Sequence, residues 1–292
     1  MSKVAIILVN YNGKEYIKEC IESIQAIDYK NYKIIVVDNN STDDSLVYLK
    51  SLGNEIKLIE AKENGGFSFG NNLGIKYAIE NGFEYFLLLN NDTLVKRDFL
   101  SKMLESFNRN PDAGIVGAKI MYYPEKNRIW FGGGDVSWTR FRVVHNHIKE
   151  TDNGQCNAEV EINFMTGCAM LISKEVIEKV GLLDEEYFMY CEDLDYSFKV
   201  LDNNFKIIFN PEAIVYHKVS LSSGGEDSAF SLYWKTKNTL KVMKKFKHRT
   251  SLFNYLLGKF IFYLEHVVKA IKYKINGNVE NYNAIKKALS NI

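Results

Sequence analysis

The chain has 292 residues, of which 46% are hydrophobic, 25% charged and 13% aromatic, with only 3 prolines. That length and balance can bury a sizeable core in one large domain, or in one domain with an appendage, and they exclude a disordered chain. The net charge of +1 hides an asymmetry: from Lys235 onward 13 Lys and Arg face 2 Asp and Glu, so the tail carries +11 and the body −10. A basic tail on an acidic body points to an anionic surface as partner, either membrane or nucleic acid. The four cysteines, Cys20, Cys156, Cys168 and Cys191, form no C-x-x-C pair, which argues against a zinc site or a disulfide framework and for free thiols in a reducing cytoplasm. Val4–Val9 is too short for a signal-peptide core, and no stretch reaches the 18 uncharged apolar residues that a bilayer span needs.

In chain order, Val4–Val9 is a β-branched apolar run and reads as a strand buried on both faces. Tyr16, Cys20, Ile21 and Ile24 follow at helical spacing. Ile34–Val37 is a second strand ending at Asp38, with Ser41 or Thr42 expected to cap the next helix and Asp43 and Asp44 in its first turn. Ile56–Ile59 is a third strand, Gly65-Gly66 opens a loop into a helix bearing Leu73, Ile75, Tyr77 and Ala78, and Phe86–Leu89 is a fourth strand. Phe99, Met103, Leu104 and Phe107 mark an amphipathic helix. Such alternation implies right-handed βαβ units and a mostly parallel sheet. After Pro111 the rhythm changes. Ile115–Lys119 reads as a strand, and Trp130 to Ile148, with Gly132-Gly133-Gly134, as short antiparallel pieces and loops. Ala169–Ile172 is strand-like, Lys174–Val180 a short helix stopping at Gly181, Leu194–Leu201 a helix and Phe205–Phe209 a strand. From about Phe230 the pattern is helical and basic.

Four places carry chemistry. In Phe86–Thr93 an apolar run stops at Asn90-Asn91-Asp92, and a carboxylate at a strand's carboxyl end can hold a divalent cation that in turn holds a diphosphate. Asp38 ends the second strand, suited to a nucleobase imide or ribose hydroxyl, or to an ordinary turn. The stretch Asn64 to Gly74 is glycine-rich and leads into a helix start, which favours close backbone approach and an anion, yet it matches neither the P-loop nor the dinucleotide pattern. Glu192, Asp193 and Asp195 are crowded carboxylates, either a general base at a pocket mouth or favourable helix-dipole placement. His217 ends a β-branched run and is a metal ligand or a structural histidine.

Taken together, Val9–Asn12, Val36–Asp43, Glu63–Phe67, Leu88–Thr93 and Tyr187–Asp195 resemble the ordered motifs of family 2 glycosyltransferases, most nearly the rhamnosyltransferase-like branch that builds bacterial cell-surface polysaccharides. The resemblance runs from Lys3 to Gly225. It implies an α/β GT-A fold over residues 1–226, with a nucleotide-binding half (1–110) and an acceptor-binding half (111–226), followed by a basic helical extension over 227–292. It further implies an inverting transfer of a sugar, rhamnose among the candidates, from a dTDP- or UDP-linked donor to a glycan or lipid-linked hydroxyl. By position, Asp38 would hold the donor base, with Asn10, Tyr11 and Asn12 lining that pocket. Asn64, Gly65, Gly66, Asn71 and Asn91 would lie beside the nucleotide. Asp92 would bind Mg²⁺ or Mn²⁺, and Asp193 would be the base, with Glu192 its nearest rival. Thr166, Gly167 and Trp130 would face the acceptor. The family's acid-x-acid metal motif is here Asn90-Asn91-Asp92, which shifts ligation toward His217 as a second protein ligand.

In the tail, Leu252, Leu256, Phe260, Tyr263, Leu264, Val267 and Ile271 fall at helical spacing among lysines. Such a stripe lies on an anionic membrane, or packs on the catalytic domain or a second subunit. No nucleic-acid-binding module is recognisable. Two other readings compete. A sugar nucleotidyltransferase would begin with a basic Gly-rich loop where this chain has Asn10-Tyr11-Asn12-Gly13. A non-catalytic scaffold would have no need of Asp92, Asp193 and His217.

Overall fold

The computed structural model describes residues 1–137, 142–219 and 228–290. The expected boundary at 226/227 and part of the glycine- and aromatic-rich stretch lie outside the described residues. The first half alternates as expected: β1 (Val4–Asn10), α1 (Lys14–Gln25), β2 (Tyr32–Asp38), α2 (Ser45–Ser51), β3 (Ile56–Glu60), α3 (Gly66–Glu80) and β4 (Tyr85–Leu89). β1 pairs in parallel with β2 and with β4, and β2 with β3. Val4 to Leu8 are fully buried, because helices cover both faces of this part of the sheet. α3 lies close on β1 because Gly70 and Gly74 have no side chain. A Cβ at Gly74 would come within 2.5 Å of Ile7, and one at Gly70 within 2.6 Å of Val9.

The second half continues the same sheet. It comprises β5 (Thr93–Val95), α4 (Phe99–Arg109), β6 (Ala113–Tyr122), β7 (Ile129–Phe131), β8 (Gly134–Ser137), β9 (Arg142–His145), β10 (Val160–Ile162), β11 (Ala169–Ser173), α5 (Lys174–Val180), α6 (Glu192–Asp202) and β12 (Lys206–His217). The strand order is β10-β12-β6-β11-β4-β1-β2-β3, with β11 antiparallel to both neighbours. Three helices follow: α7 (Ala229–Lys245), α8 (Leu252–Ile275) and α9 (Val279–Ser290).

Two local expectations change. Ser41 and Thr42 do not cap a helix: α2 starts behind Asp44, with no side-chain cap, and the Ser41 hydroxyl donates to Asp38 Oδ1 at 2.6 Å instead. The strand expected at Phe205–Phe209 runs on to His217. Pro211 lacks an N–H and sits in a bulge, where Asn210 Oδ1 accepts from the Glu212 N–H at 2.8 Å and the register with β6 shifts. Beyond the bulge β12 pairs antiparallel with β5 and sets His217 opposite Thr93, next to Asp92.

The tail divides. α7 packs onto the sheet, with Val242 and Phe246, the residue after its last turn, in the same buried cluster. Tyr263, one of the apolar residues at helical spacing, packs on a small cluster formed by Leu240, Met243 and Phe262.

Candidate active site

The parallel strands β1, β2 and β4 end side by side, so their following loops gather polar residues at one end of the sheet. Asn10 and Asp38 are register partners and both buried. Asn10 Nδ2 donates to Asp38 Oδ1 at 3.0 Å, and Asn10 Oδ1 accepts from Asn91 Nδ2 at 2.9 Å. The Ser41 N–H donates to Asp38 Oδ2 at 3.0 Å. Asp38 is thus fixed from three sides. Asn12 Oδ1 accepts from the Thr42 N–H at 2.7 Å and holds the loop over this corner, while Tyr11 beside it is exposed. Gly13 completes the corner, since a Cβ there would meet Asn10 Oδ1 at 2.5 Å.

From this corner the site continues through Asn39. Its Nδ2 donates to the Gly66 carbonyl at 2.9 Å and to Asn64 Oδ1 at 3.3 Å, and Asn64 Oδ1 also accepts from the Gly66 N–H. Gly65 precedes Gly66 as the residue before the first turn of α3. Gly66 has φ +84°, and a Cβ there would lie 2.0 Å from the Phe188 carbonyl oxygen, so only glycine lets these segments touch. The Phe67 N–H then donates to that same oxygen at 3.0 Å. Asn71 is buried and donates to the Phe67 carbonyl of its own helix at 3.0 Å, so its side chain supports the helix rather than projecting from it.

The segment from Phe188 turns into α6 through Tyr190 and Cys191, both left-handed at φ +68° and +69°. This turn delivers Glu192 and Asp193. Asp193 accepts from the Gly167 N–H at 3.2 Å and the Leu194 N–H at 2.9 Å. Burial raises its carboxyl to about 6 despite these hydrogen bonds. Glu192 is buried, its Oε2 makes no hydrogen bond among the described residues, and burial together with the neighbouring Asp193 charge pushes its carboxyl well above the usual range. Asp195, the third carboxylate, is consumed structurally: Lys245 lies 2.6 Å from Oδ1, Lys199 2.9 Å from Oδ2, and the Tyr187 hydroxyl donates to Oδ1.

The turn Thr166-Gly167-Cys168 joins the last corner. Thr166 is buried, and its Oγ1 accepts from the Cys168 N–H at 3.3 Å. The Cys168 carbonyl accepts from the Asn90 N–H at 3.0 Å, and its thiol lies against His217. His217 Nε2 is 3.1 Å from Asp92 Oδ1, with both side chains almost fully buried. Burial disfavours a charged imidazole, but Cys168 and Asp92 beside it outweigh that and raise His217 to about 10. Trp130, expected at the acceptor, stands edge-on to the His217 ring at 4.7 Å between centroids, so it walls the Asp92–His217 corner.

The donor set at this corner suits a divalent cation. One carboxylate and one imidazole sit together, with Asp92 Oδ1 facing His217 Nε2 and His217 Nδ1 left without a hydrogen bond among the described residues. No group of three or more metal-ligating side chains gathers among the described residues, so the remaining ligands would be phosphate oxygens and water, the usual manner of Mg²⁺. Residues that sequence reading passed over are Asn39, Gly13 and Cys168. Asn39 stands inside a motif stretch and Gly13 directly follows one, but Cys168 is tied to the site only by the β4–β11 pairing.

Residues 5–181 match Glycosyl transferase family 2. The chain is 23% identical over 253 residues to the poly-beta-1,6-N-acetyl-D-glucosamine synthase of Staphylococcus epidermidis, covering 82% of this chain and 58% of that protein. It therefore spans little more than half the length of that relative. Among solved structures, GalNAc-T7 with UDP, GalNAc and Mn²⁺ superposes with TM-score 0.66 at 16% identity, over 84% of this chain and 48% of the other. The mannosyltransferase PcManGT from Pyrobaculum calidifontis, in complex with GDP-Man and Mn²⁺, gives 0.60 at 17% identity, over 99% and 74%. These neighbours share the mostly parallel sheet and flanking helices of the expected GT-A fold. With residues 5–181, more than half of the chain, matched by the family and the same architecture in both structures, the chain belongs to glycosyl transferase family 2.

Proposed function

We propose that this protein transfers a sugar from a nucleoside diphosphate donor to a hydroxyl of a glycan or lipid-linked acceptor, with inversion at the anomeric carbon. The observation that supports it most is the closed run of contacts from Asp38 through Gly66, Phe188, Asp193, Gly167 and Cys168 to His217 and Asp92. Along this run lie three chemically distinct corners. Asp38, with Asn10 and Asn12, recognises the donor base and ribose, and Tyr11 offers an exposed ring beside them. Gly65 and Gly66 let the backbone approach the nucleotide. Asp92 and His217 would hold Mg²⁺ or Mn²⁺, and such a cation would supply neutralisation of charge on the leaving diphosphate. Asp193 takes the acceptor proton, and inversion needs one such base and no enzyme nucleophile. Asp193 is favoured over Glu192 because its carboxylate accepts two backbone hydrogen bonds and is the less deeply buried of the two, whereas Glu192 Oε2 makes none among the described residues and burial beside the Asp193 charge raises its carboxyl well above the usual range.

The sequence resemblance put rhamnose among the donors, while the similar proteins named above are named for N-acetylhexosamine and mannose chemistry. A screen of UDP-, GDP- and dTDP-sugars for release of nucleoside diphosphate identifies the donor. With that donor, Asp193→Asn is expected to lower transfer by about 10²–10⁴-fold while leaving nucleotide affinity unchanged. Undiminished turnover would remove Asp193 from the base role. His217→Asn is expected to weaken Mn²⁺ binding in the presence of nucleoside diphosphate by about tenfold or more, read by the paramagnetic resonance of free Mn²⁺. Unchanged Mn²⁺ affinity would leave Asp92 without its partner ligand.

A further inference from the structure

α8 is apolar on two opposite sides. Gly258, Phe262 and Ala270 are buried. Phe262 packs with Leu240 and Met243 of α7, and Ala270 with Leu232 of α7 and Ile285 of α9. The other side faces outward and is also apolar: Leu252 is 72% exposed, Phe253 73%, Leu256 55%, Phe260 65%, Leu264 53% and Ile271 50%. Leu252, Leu256, Phe260 and Leu264 recur every fourth residue and form one stripe, flanked by Phe253 and Ile271. A surface helix ordinarily turns charge to water, so this stripe marks a binding face.

The charge around the stripe selects the partner. Lys259, Lys272 and Lys274 of α8 are exposed, Glu265 is the one acid of the helix, and the segment from Lys235 holds 13 basic against 2 acidic residues. A second copy packed stripe to stripe would bring two such cationic segments together. An anionic lipid surface would meet both the apolar stripe and the lysines beside it. No helix among the described residues is long and apolar enough to cross a membrane, so the geometry is that of a helix lying on one.

We propose that the outward face of α8 lies in the interfacial layer of an anionic bilayer, with the stripe among the acyl chains and the lysines at the headgroups. The full chain is then a peripheral protein, and α7, which packs on both the catalytic body and α8, fixes that body above the lipid surface.

Flotation of the full chain with phosphatidylcholine vesicles, with and without phosphatidylglycerol, tests this. The expected result is flotation with the phosphatidylglycerol vesicles that weakens at high salt. The exposed-site variant Phe253→Ser/Phe260→Ser/Leu264→Ser should lose about tenfold or more in partitioning while keeping its circular dichroism and its nucleotide binding. Lys259→Gln/Lys272→Gln/Lys274→Gln should lose the preference for phosphatidylglycerol. Absence of flotation, or equal flotation of wild type and serine variant, overturns the proposal. So does a wild-type dimer by light scattering that the serine variant converts to monomer without any change in vesicle binding, which would give the stripe to a second copy.

Discussion

At the scale of single residues the site is a set of buried polar groups held in costly states. Asp193 is the clearest. Burial lifts its carboxyl from the ordinary aspartate range to about 6, so the fold favours the neutral form and loses stability as pH rises through that interval. The charge is nevertheless what a base needs. Asp193→Asn is therefore expected to raise stability at neutral pH by on the order of 1–3 kcal/mol, with the gain vanishing below about pH 4. Thermal melts of both proteins across that range check it, and a gain independent of pH would mean the carboxylate is not strained. The same shift predicts that kcat/KM falls as pH drops through about 6, one decade per pH unit, because protonated Asp193 cannot accept the acceptor proton. A profile flat to pH 5 would point to a base of ordinary carboxylate pKa.

At the scale of elements, Asp193, the proposed base, is aimed by a helix outside the family-matched segment. Asn238 of α7 is fully buried and donates to the Met189 carbonyl at 2.8 Å and the Tyr190 carbonyl at 3.0 Å. The Tyr190 hydroxyl meets Ser231 of the same helix at 2.8 Å, and Phe188 stacks on Trp234. Two consecutive left-handed residues, Tyr190 and Cys191, are not self-supporting, and these contacts hold them. Asn238→Ala is expected to lower kcat by about 10–100-fold with KM for the donor little changed, since a misplaced base slows proton transfer without touching the nucleotide corner. Steady-state kinetics decide this, and a rise in donor KM alone would make Asn238 a purely structural prop. On the facing side, Gly66→Ala must push Phe188 away from α3. It is expected to cost about 2–4 kcal/mol, measured by denaturant unfolding.

At the scale of the whole molecule, the site exists because one sheet carries both halves. β11 enters antiparallel between β4 and β6, which sets Cys168 beside Asn90, and β12 reaches β5, which sets His217 beside Asp92. The proposed donor and cation corners are thus mechanically one body. Nucleoside diphosphate and Mn²⁺ should therefore stabilise the protein jointly. The rise in melting temperature with both should exceed the sum of the separate rises, and Asp92→Asn should remove that excess. Additive shifts would separate the cation from the nucleotide site.

The local motifs were legible because their chemistry is short-range. Strand ends at Asp38 and Asp92, the glycine-rich start of α3 and the carboxylates opening α6 are readable from period, glycine and charge within a few residues. The family, the α/β architecture and the cluster of candidate residues followed from these. The tertiary structure decided what depends on distant chain meeting. A bulge at Pro211 extends β12 far enough to bring His217 to Asp92, a distance no local pattern encodes. Asp195 could not be told from its neighbours by sequence, yet Lys245, fifty residues later, consumes it in an ion pair. Apolar spacing in the tail showed a helix with a stripe but not which side faces inward. Only the packing of α8 on α7 and α9 determines that, because an amphipathic pattern records that a face is apolar and not what covers it.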